Sequence, residues 1–344
     1  MTGGSLLAAP VLVVVALAPN PAVFFAGWIM AGIAMAAVFY PAAFAALTRW
    51  YGPDRVRALT ILTMAGGLAS TVFAPVTALL LEQHSWRATY LILAAVLALV
   101  TVPAHALLIS PRWTPTTGSA ARRAPGTRHM LRSSSFLLLC ARLTVTAFAL
   151  HAAGLALIPL LTGRGLSPTV AALGLGLLGA GQLLGRLGYG PLLTRTTPAA
   201  RTRVVLAAAA AGLLALAAVP GPPAALIAVA VLVGAARGAA TLLQATLVAD
   251  LWGTTRYGAL AGIFAVPITV AGAVAPWAAT ALVDLVGGSY PALFAVLAVP
   301  VAAVAATGRL PRPVPEGGAD RSPAGSRRPA NSLTNVDTSS IVDR

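Results

Sequence analysis

Long apolar runs, broken by short clusters of Arg, Pro, Gly and Ser, set the pattern of this chain. Ten such runs lie at roughly 5–19, 22–47, 58–81, 88–109, 135–162, 168–193, 203–220, 224–249, 259–283 and 290–308. A helix needs about 20 apolar residues to cross a bilayer, so each run is expected to be a membrane-spanning helix, the first of them short. Helix-start chemistry marks several: Ser167 stands as a cap before Pro168, and Pro222-Pro223 precedes the eighth run. Interior Gly and Ala are frequent, as where helices pack closely in lipid, and Gly181 with Gly185 is one such pair. The pattern predicts an all-α integral membrane protein of about ten transmembrane helices.

The eighth run carries an Arg, Arg237, near its middle. A central Arg costs about 2.5–3.5 kcal/mol on insertion scales, so it persists only with a partner or a wet cavity. Arg237, Thr241 and Gln244 fall at i, i+4 and i+7, one face of a helix. Three polar groups stacked on one face are most simply placed against a polar interior.

The same stretch is half of an internal repeat. Shifted back by 201 positions, Gly253 falls on Gly52, Arg256 on Arg55, Ala259 on Ala58, Leu260 on Leu59 and Ala275-Pro276 on Ala74-Pro75. Pro220 and Pro222 fall on Pro19 and Pro21, and three loop residues later Ser289, Tyr290, Ala292 and Phe294 fall on Ser85, Trp86, Ala88 and Tyr90. Ala/Leu/Val-rich sequence matches by chance, but charged, Pro and Gly punctuation in constant register does not easily do so.

Composition adds that the chain is 58% hydrophobic and 9% charged, too few charges to cover a soluble surface. The formal charge is +15, yet nucleic acid is not its explanation. With the N-terminus inside and the spans alternating, eighteen of the 23 basic residues, all Arg, fall on inside segments; only Arg87 and Arg164 lie outside and Arg142, Arg186 and Arg237 within spans. That is the positive-inside asymmetry of a protein in an inner or plasma membrane, with both termini cytoplasmic. The absence of Lys excludes a P-loop and a Schiff-base enzyme. The single cysteine, Cys140, forms no intramolecular disulfide and lies in an apolar run. No basic residue precedes the first apolar run, so the signal-peptide pattern is incomplete.

These boundaries divide the chain into an N-terminal bundle of four helices over 1–109, a basic linker over 110–133, a six-helix bundle over 134–310 and a polar, disordered tail over 311–344.

Four motifs then point to a family. RWYGPDRVRAL at 49–59 and its repeat DLWGTTRYGAL at 250–260 look like the loops after the fourth and tenth helices of the major facilitator superfamily of secondary transporters. HSWRATYLILA at 84–94 looks like the start of its sixth helix, and GQLLGRLGYGPLLTR at 181–195 like its eighth helix running into the cytoplasmic G-x-L-x-D-R loop. The chain resembles this family over nearly all of 1–310. The resemblance implies two helical bundles that rock about a central substrate cavity. The family has twelve helices, six per half. By the repeat Met1 falls on Thr202, so counterparts of 134–201 are missing and the expectation is an N-terminally truncated carrier lacking its first two helices. The surviving gate loop has Thr194 where the family places Asp, beside Gly190 and Arg195, which puts its Asp–Arg latch in doubt.

By the resemblance, helices four, seven and ten line the cavity. Arg237 is then the leading substrate group, able to hold an anion by a charge-assisted fork, or else a structural Arg on neighbouring carbonyls. Thr241 and Gln244 share its face, and Tyr40, the repeat mate of Thr241, would face them from the opposite wall or simply pack. His151 suits proton coupling or an interhelical hydrogen bond. Arg142, nine residues earlier, is half a turn away, so both cannot face one cavity unless the helix kinks. Gln182 and Arg186 read as gate or packing groups. No intramembrane carboxylate and no G-x-S-x-G are present, and no cofactor or metal site is expected, against an enzyme. The expectation is a secondary transporter of a small, anionic or carboxylate-bearing molecule, with the bilayer, the substrate and protons as its partners; the alternative is a non-transporting remnant or membrane scaffold.

Overall fold

The computed structural model describes residues 1–107, 130–254 and 256–307. Among these residues the chain is helical throughout, without a β-strand. The helices are α1 (Thr2–Leu17), α2 (Pro21–Val38), α3 (Tyr40–Tyr51), α4 (Arg55–Gln83), α5 (Trp86–Val96), α6 (Val102–Leu107), α7 (Ser134–Gly163), α8 (Pro168–Arg195), α9 (Pro198–Ala218), α10 (Pro223–Trp252), α11 (Tyr257–Leu285) and α12 (Tyr290–Ala306). Seven helical stretches are long and apolar enough to cross a membrane: Pro21–Tyr51, Trp86–Leu107 and each of α7 to α11. The shorter α1 and α12 are apolar as well.

Local sequence sets most boundaries. Asn20, Ser85, Ser133, Ser167, Thr197 and Ser289 each accept a hydrogen bond from the backbone N–H three residues on, and α2, α8, α9, α10 and α12 carry Pro in their first turn. One expected span is not a single helix. The run at 22–47 breaks at Phe39, whose backbone is extended, into α2 and α3. Pro41 has no N–H to offer the preceding turn, and the chain restarts with Pro41 in the first turn of α3. The run at 88–109 likewise carries a π-helical turn over Leu97–Thr101 between α5 and α6. The expected tail at 311–344, and the linker at 110–133 apart from its last four residues, lie outside the described residues.

The repeat register is carried by the elements. Leu17 and Ala218, which end α1 and α9, are 201 residues apart; so are Gly52 and Gly253, which cap the C-termini of α3 and α10 at φ of 47° and 77°. A left-handed cap favours the residue without a Cβ, which accounts for Gly at both. Ser85 and Ser289 make the same cap, to the N–H of Ala88 and of Ala292.

Packing is densest between α8 and α10. A Cβ on Gly181 or Gly185 would collide with the backbone of Val231 or Ala235, and one on Gly234 or Gly238 with the backbone of Leu178 or Gln182. The two helices touch backbone to backbone through reciprocal glycines, the close approach small residues permit. Two apolar cores follow. One joins the ends of α7 to α12 around Leu157, Leu213, Phe294 and Val301. The other, at the arginine-rich end, gathers Phe136, Leu139, Leu206, Leu243 and Phe264 with Phe44 of α3 and Leu59 of α4, tying α3 and α4 to the later helices.

Candidate functional site

Midway along α10 the backbone of α7 recedes at Gly154, where a Cβ would stand 3.2 Å from Nη1 of Arg237. Into this gap the Arg237 guanidinium projects, and among the described residues it has no hydrogen-bond or ion-pair partner. It borders a cavity of about 270 Å³ whose polar lining is Tyr40, Thr146, His151, Gln182, Arg186, Thr241 and Gln244. The cavity continues into a second chamber of about 490 Å³, sharing Tyr40, His151, Thr241, Gln244 and Ile268, which runs between α3 and α11. Neither chamber is lined by a carboxylate.

The lining groups differ in what they can still offer. Thr241 and Thr146 spend their hydroxyl protons on the carbonyls one turn back, Arg237 and Arg142, leaving oxygen lone pairs toward the cavity. His151 places Nδ1 2.7 Å from the carbonyl of Ala147. A carbonyl only accepts, so Nδ1 carries the proton and Nε2 is left as the acceptor. That edge of the ring faces Gly272 of α11, where a Cβ would lie 3.4 Å from Nε2. Tyr40 stacks on Phe44 at 5.1 Å, and its hydroxyl sits over Gly66 of α4, where a Cβ would come within 2.6 Å. Arg186 leaves α8 to donate from Nη1 to the carbonyl of Thr63 on α4 at 2.7 Å, occupying the space above Gly67.

Five of the residues expected to bind substrate thus meet on one cavity: Arg237, Thr241, Gln244, Tyr40 and His151. Arg142 does not join them. It is 1% exposed, with Nη2 3.4 Å from Oγ1 of Thr307 at the end of α12, about 13 Å along α7 from His151 at 1.5 Å per residue. Gln182 and Arg186, expected as gate or packing groups, line the cavity too. Of the expected gate residues on α8, Thr194 is exposed with its hydroxyl on the carbonyl of Pro191, Arg195 is exposed, and Gly190 has open space where a Cβ would stand.

Charge pairing at that end of the molecule sits elsewhere. Asp250, at the end of α10, receives Nη2 of Arg55 from α4 at 3.1 Å and Nη2 of Arg201 from α9. Arg55 also donates to the carbonyl of Gly52 at 3.2 Å, and Arg201 lies over the ring of Tyr189, whose hydroxyl pairs with Thr246 at 2.5 Å. The sequence offered one signal for this cluster: Asp250 is one of only eight acidic residues and begins the repeated loop motif.

A family model described as "Major Facilitator Superfamily" matches residues 1–225. The chain belongs to this family. No curated protein matches it. Among solved structures, the Major Facilitator Superfamily transporter FucP in its outward conformation superposes with a TM-score of 0.63 at 18% identity, covering 88% of this chain and 80% of that one. A variant of the E. coli fucose:proton symporter FucP gives a TM-score of 0.65 at 14% identity, over 88% and 82%. At such identities the likeness is one of fold. The chain is therefore a multi-pass membrane protein of a transporter family, and the cavity of Arg237 is its candidate binding site.

Proposed function

We propose that this member of the Major Facilitator Superfamily is a secondary transporter that carries a small organic anion by alternating access. The observation behind the anion is Arg237: a cation held in a cavity without a counter-charge among the described residues, beside amides and hydroxyls, with no carboxylate among the described lining residues. A buried guanidinium is stabilised by an incoming carboxylate in a two-point hydrogen-bonded pair. His151 is the group for proton coupling: its Nε2 accepts a proton at the same cavity, where a charged imidazolium would further favour an anion. This gives the chain a plausible chemistry parallel to the proton symport named for FucP.

The architecture we propose has ten spans, in bundles over 1–109 and 134–310, in the plasma or inner membrane. The linker 110–133, the tail 311–344 and the N-terminus lie in the cytoplasm, where the Arg-rich ends are retained. The Arg55–Asp250–Arg201 cluster then closes the cytoplasmic side, joining the α4 bundle to the α10 bundle, and opens when the bundles rock.

The test is uptake by proteoliposomes holding the full chain, with a panel of carboxylates, neutral sugars including fucose, and organic cations. Carboxylates are expected to be taken up, and Arg237→Gln to weaken them by about 10- to 100-fold, the worth of one charge-assisted hydrogen-bonded contact. Uptake of a sugar or a cation that Arg237→Gln leaves unchanged overturns the anion. Uptake of nothing on the panel favours a membrane scaffold.

A further inference from the structure

The polar cavity is only the smaller part of the space that Arg237 overlooks. The second chamber, about 490 Å³ against about 270 Å³, is walled by Phe39 at the α2–α3 break, by Phe44 of α3 and by Ala261, Phe264, Ala265 and Ile268 of α11. The hydroxyl of Tyr257, which also borders it, is spent on the carbonyl of Ala245 at 2.7 Å. Charged side chains are absent from its lining, and its polar groups other than Thr269 belong to the edge it shares with the first cavity or are already bonded. A ligand with hydroxyls around its whole periphery would leave them without partners against this wall, which costs about 1–3 kcal/mol for each buried group. An apolar body gains there instead. Phe39, at the α2–α3 break, is 54% exposed and stands at the rim, so the chamber meets the apolar surface of the molecule.

We infer that the site takes an amphipathic organic anion, its charged head on Arg237 and its hydrocarbon or aryl body in the chamber between α3 and α11. This rests on the anion reading above and adds the second half of the ligand. The head group meets Arg237 and Gln244; the body lies along the α11 face of Ala261, Ala265 and Ile268, spaced four and three residues apart.

The experiment is binding of straight-chain carboxylates, from acetate to decanoate, to the full chain in lipid nanodiscs. Wild type, Arg237→Gln, Ala261→Leu and Phe39→Gln are compared in the same lipid, so that partition of the acids into the bilayer cancels between proteins. Wild-type affinity is expected to rise by about fourfold per added methylene until the chamber is full. Ala261→Leu, which fills the chamber, and Phe39→Gln, at its exposed rim, are expected to flatten that slope. Arg237→Gln is expected to weaken the whole series. If acetate and octanoate bind alike and Arg237→Gln weakens both, the amphipathic ligand is overturned while the anion site stands. If affinity climbs with chain length but Arg237→Gln changes nothing, the chamber is an apolar one and both readings fall. They fall together as well if none of the acids binds.

Discussion

Asp250 carries the densest charge pairing among the described residues. Its side chain is 13% exposed between Arg55 at 11% and Arg201 at 2%. Removing one member from such a buried set leaves like charges facing each other, a loss of about 3–5 kcal/mol in measured cases. Asp250→Asn is therefore expected to lower the thermal unfolding midpoint of the purified protein clearly. A midpoint within error of wild type would place the cluster with solvent-screened surface pairs, which contribute little. Thr194→Asp is the contrasting case. It restores the carboxylate that the family's gate loop carries, but at an exposed position whose hydroxyl bonds only to its own helix. Stability should change by no more than about 0.5 kcal/mol, read in the same unfolding assay. The motif marked Thr194 because it departs from the family's pattern. The repeated loop motif contains Asp250 but does not show what it pairs with, because its partners are 49 and 195 residues away along the chain.

At the scale of elements, the α8–α10 pair decides how well the cavity is held. Gln182 and Arg186 come from one helix and Arg237, Thr241 and Gln244 from the other. Their spacing depends on glycines that have no room for a Cβ. Gly185→Val places side-chain atoms against the backbone of Ala235, which cannot yield as a flexible side chain would. The expected cost is about 1–3 kcal/mol or more from overpacking, together with weaker ligand binding as the two helices part. Gly179→Ala, with nothing within 4 Å of the new Cβ, is expected to leave both unchanged. Loss of stability in both variants would mean that glycine content rather than close packing is what matters. The pair Gly181 and Gly185 was visible in the sequence as a close-packing signal; which helix it packs on was not, since α10 presents its own glycines, Gly234 and Gly238, in answer.

At the scale of the molecule, the arginine bias predicts an orientation that can be measured. In a Cys140→Ser background, His84→Cys, in the exposed turn between α4 and α5, should react with a membrane-impermeant thiol reagent added to intact cells. Thr254→Cys, exposed between α10 and α11, should react only in inverted vesicles. Reversal of the two would place the arginine-rich end outside and remove the charge argument for topology. The same end holds two of the contacts between early and late helices, the Arg55–Asp250 pair and the Phe44 and Leu59 side of the second core; a third is the bond from Arg186 to the carbonyl of Thr63. The alternating access proposed above has to break them.

The sequence by itself determined the helical runs, the Pro, Ser and Gly that start and stop them, the repeat register and the resemblance to the family, because each is written in local composition or fixed spacing. It also singled out Arg237, Thr241, Gln244, Tyr40 and His151 as polar groups within apolar runs, where polarity stands out. Tertiary structure alone decided that these face one cavity with Gln182, that Arg142 does not, that Asp250 joins Arg55 to Arg201, and that an apolar chamber lies along α11. In water, an apolar stripe on a helix marks the buried face. In lipid both faces are apolar, so Ile268 toward a cavity and Val266 or Val270 toward the outside, 59% and 55% exposed, read the same until neighbouring helices are in place.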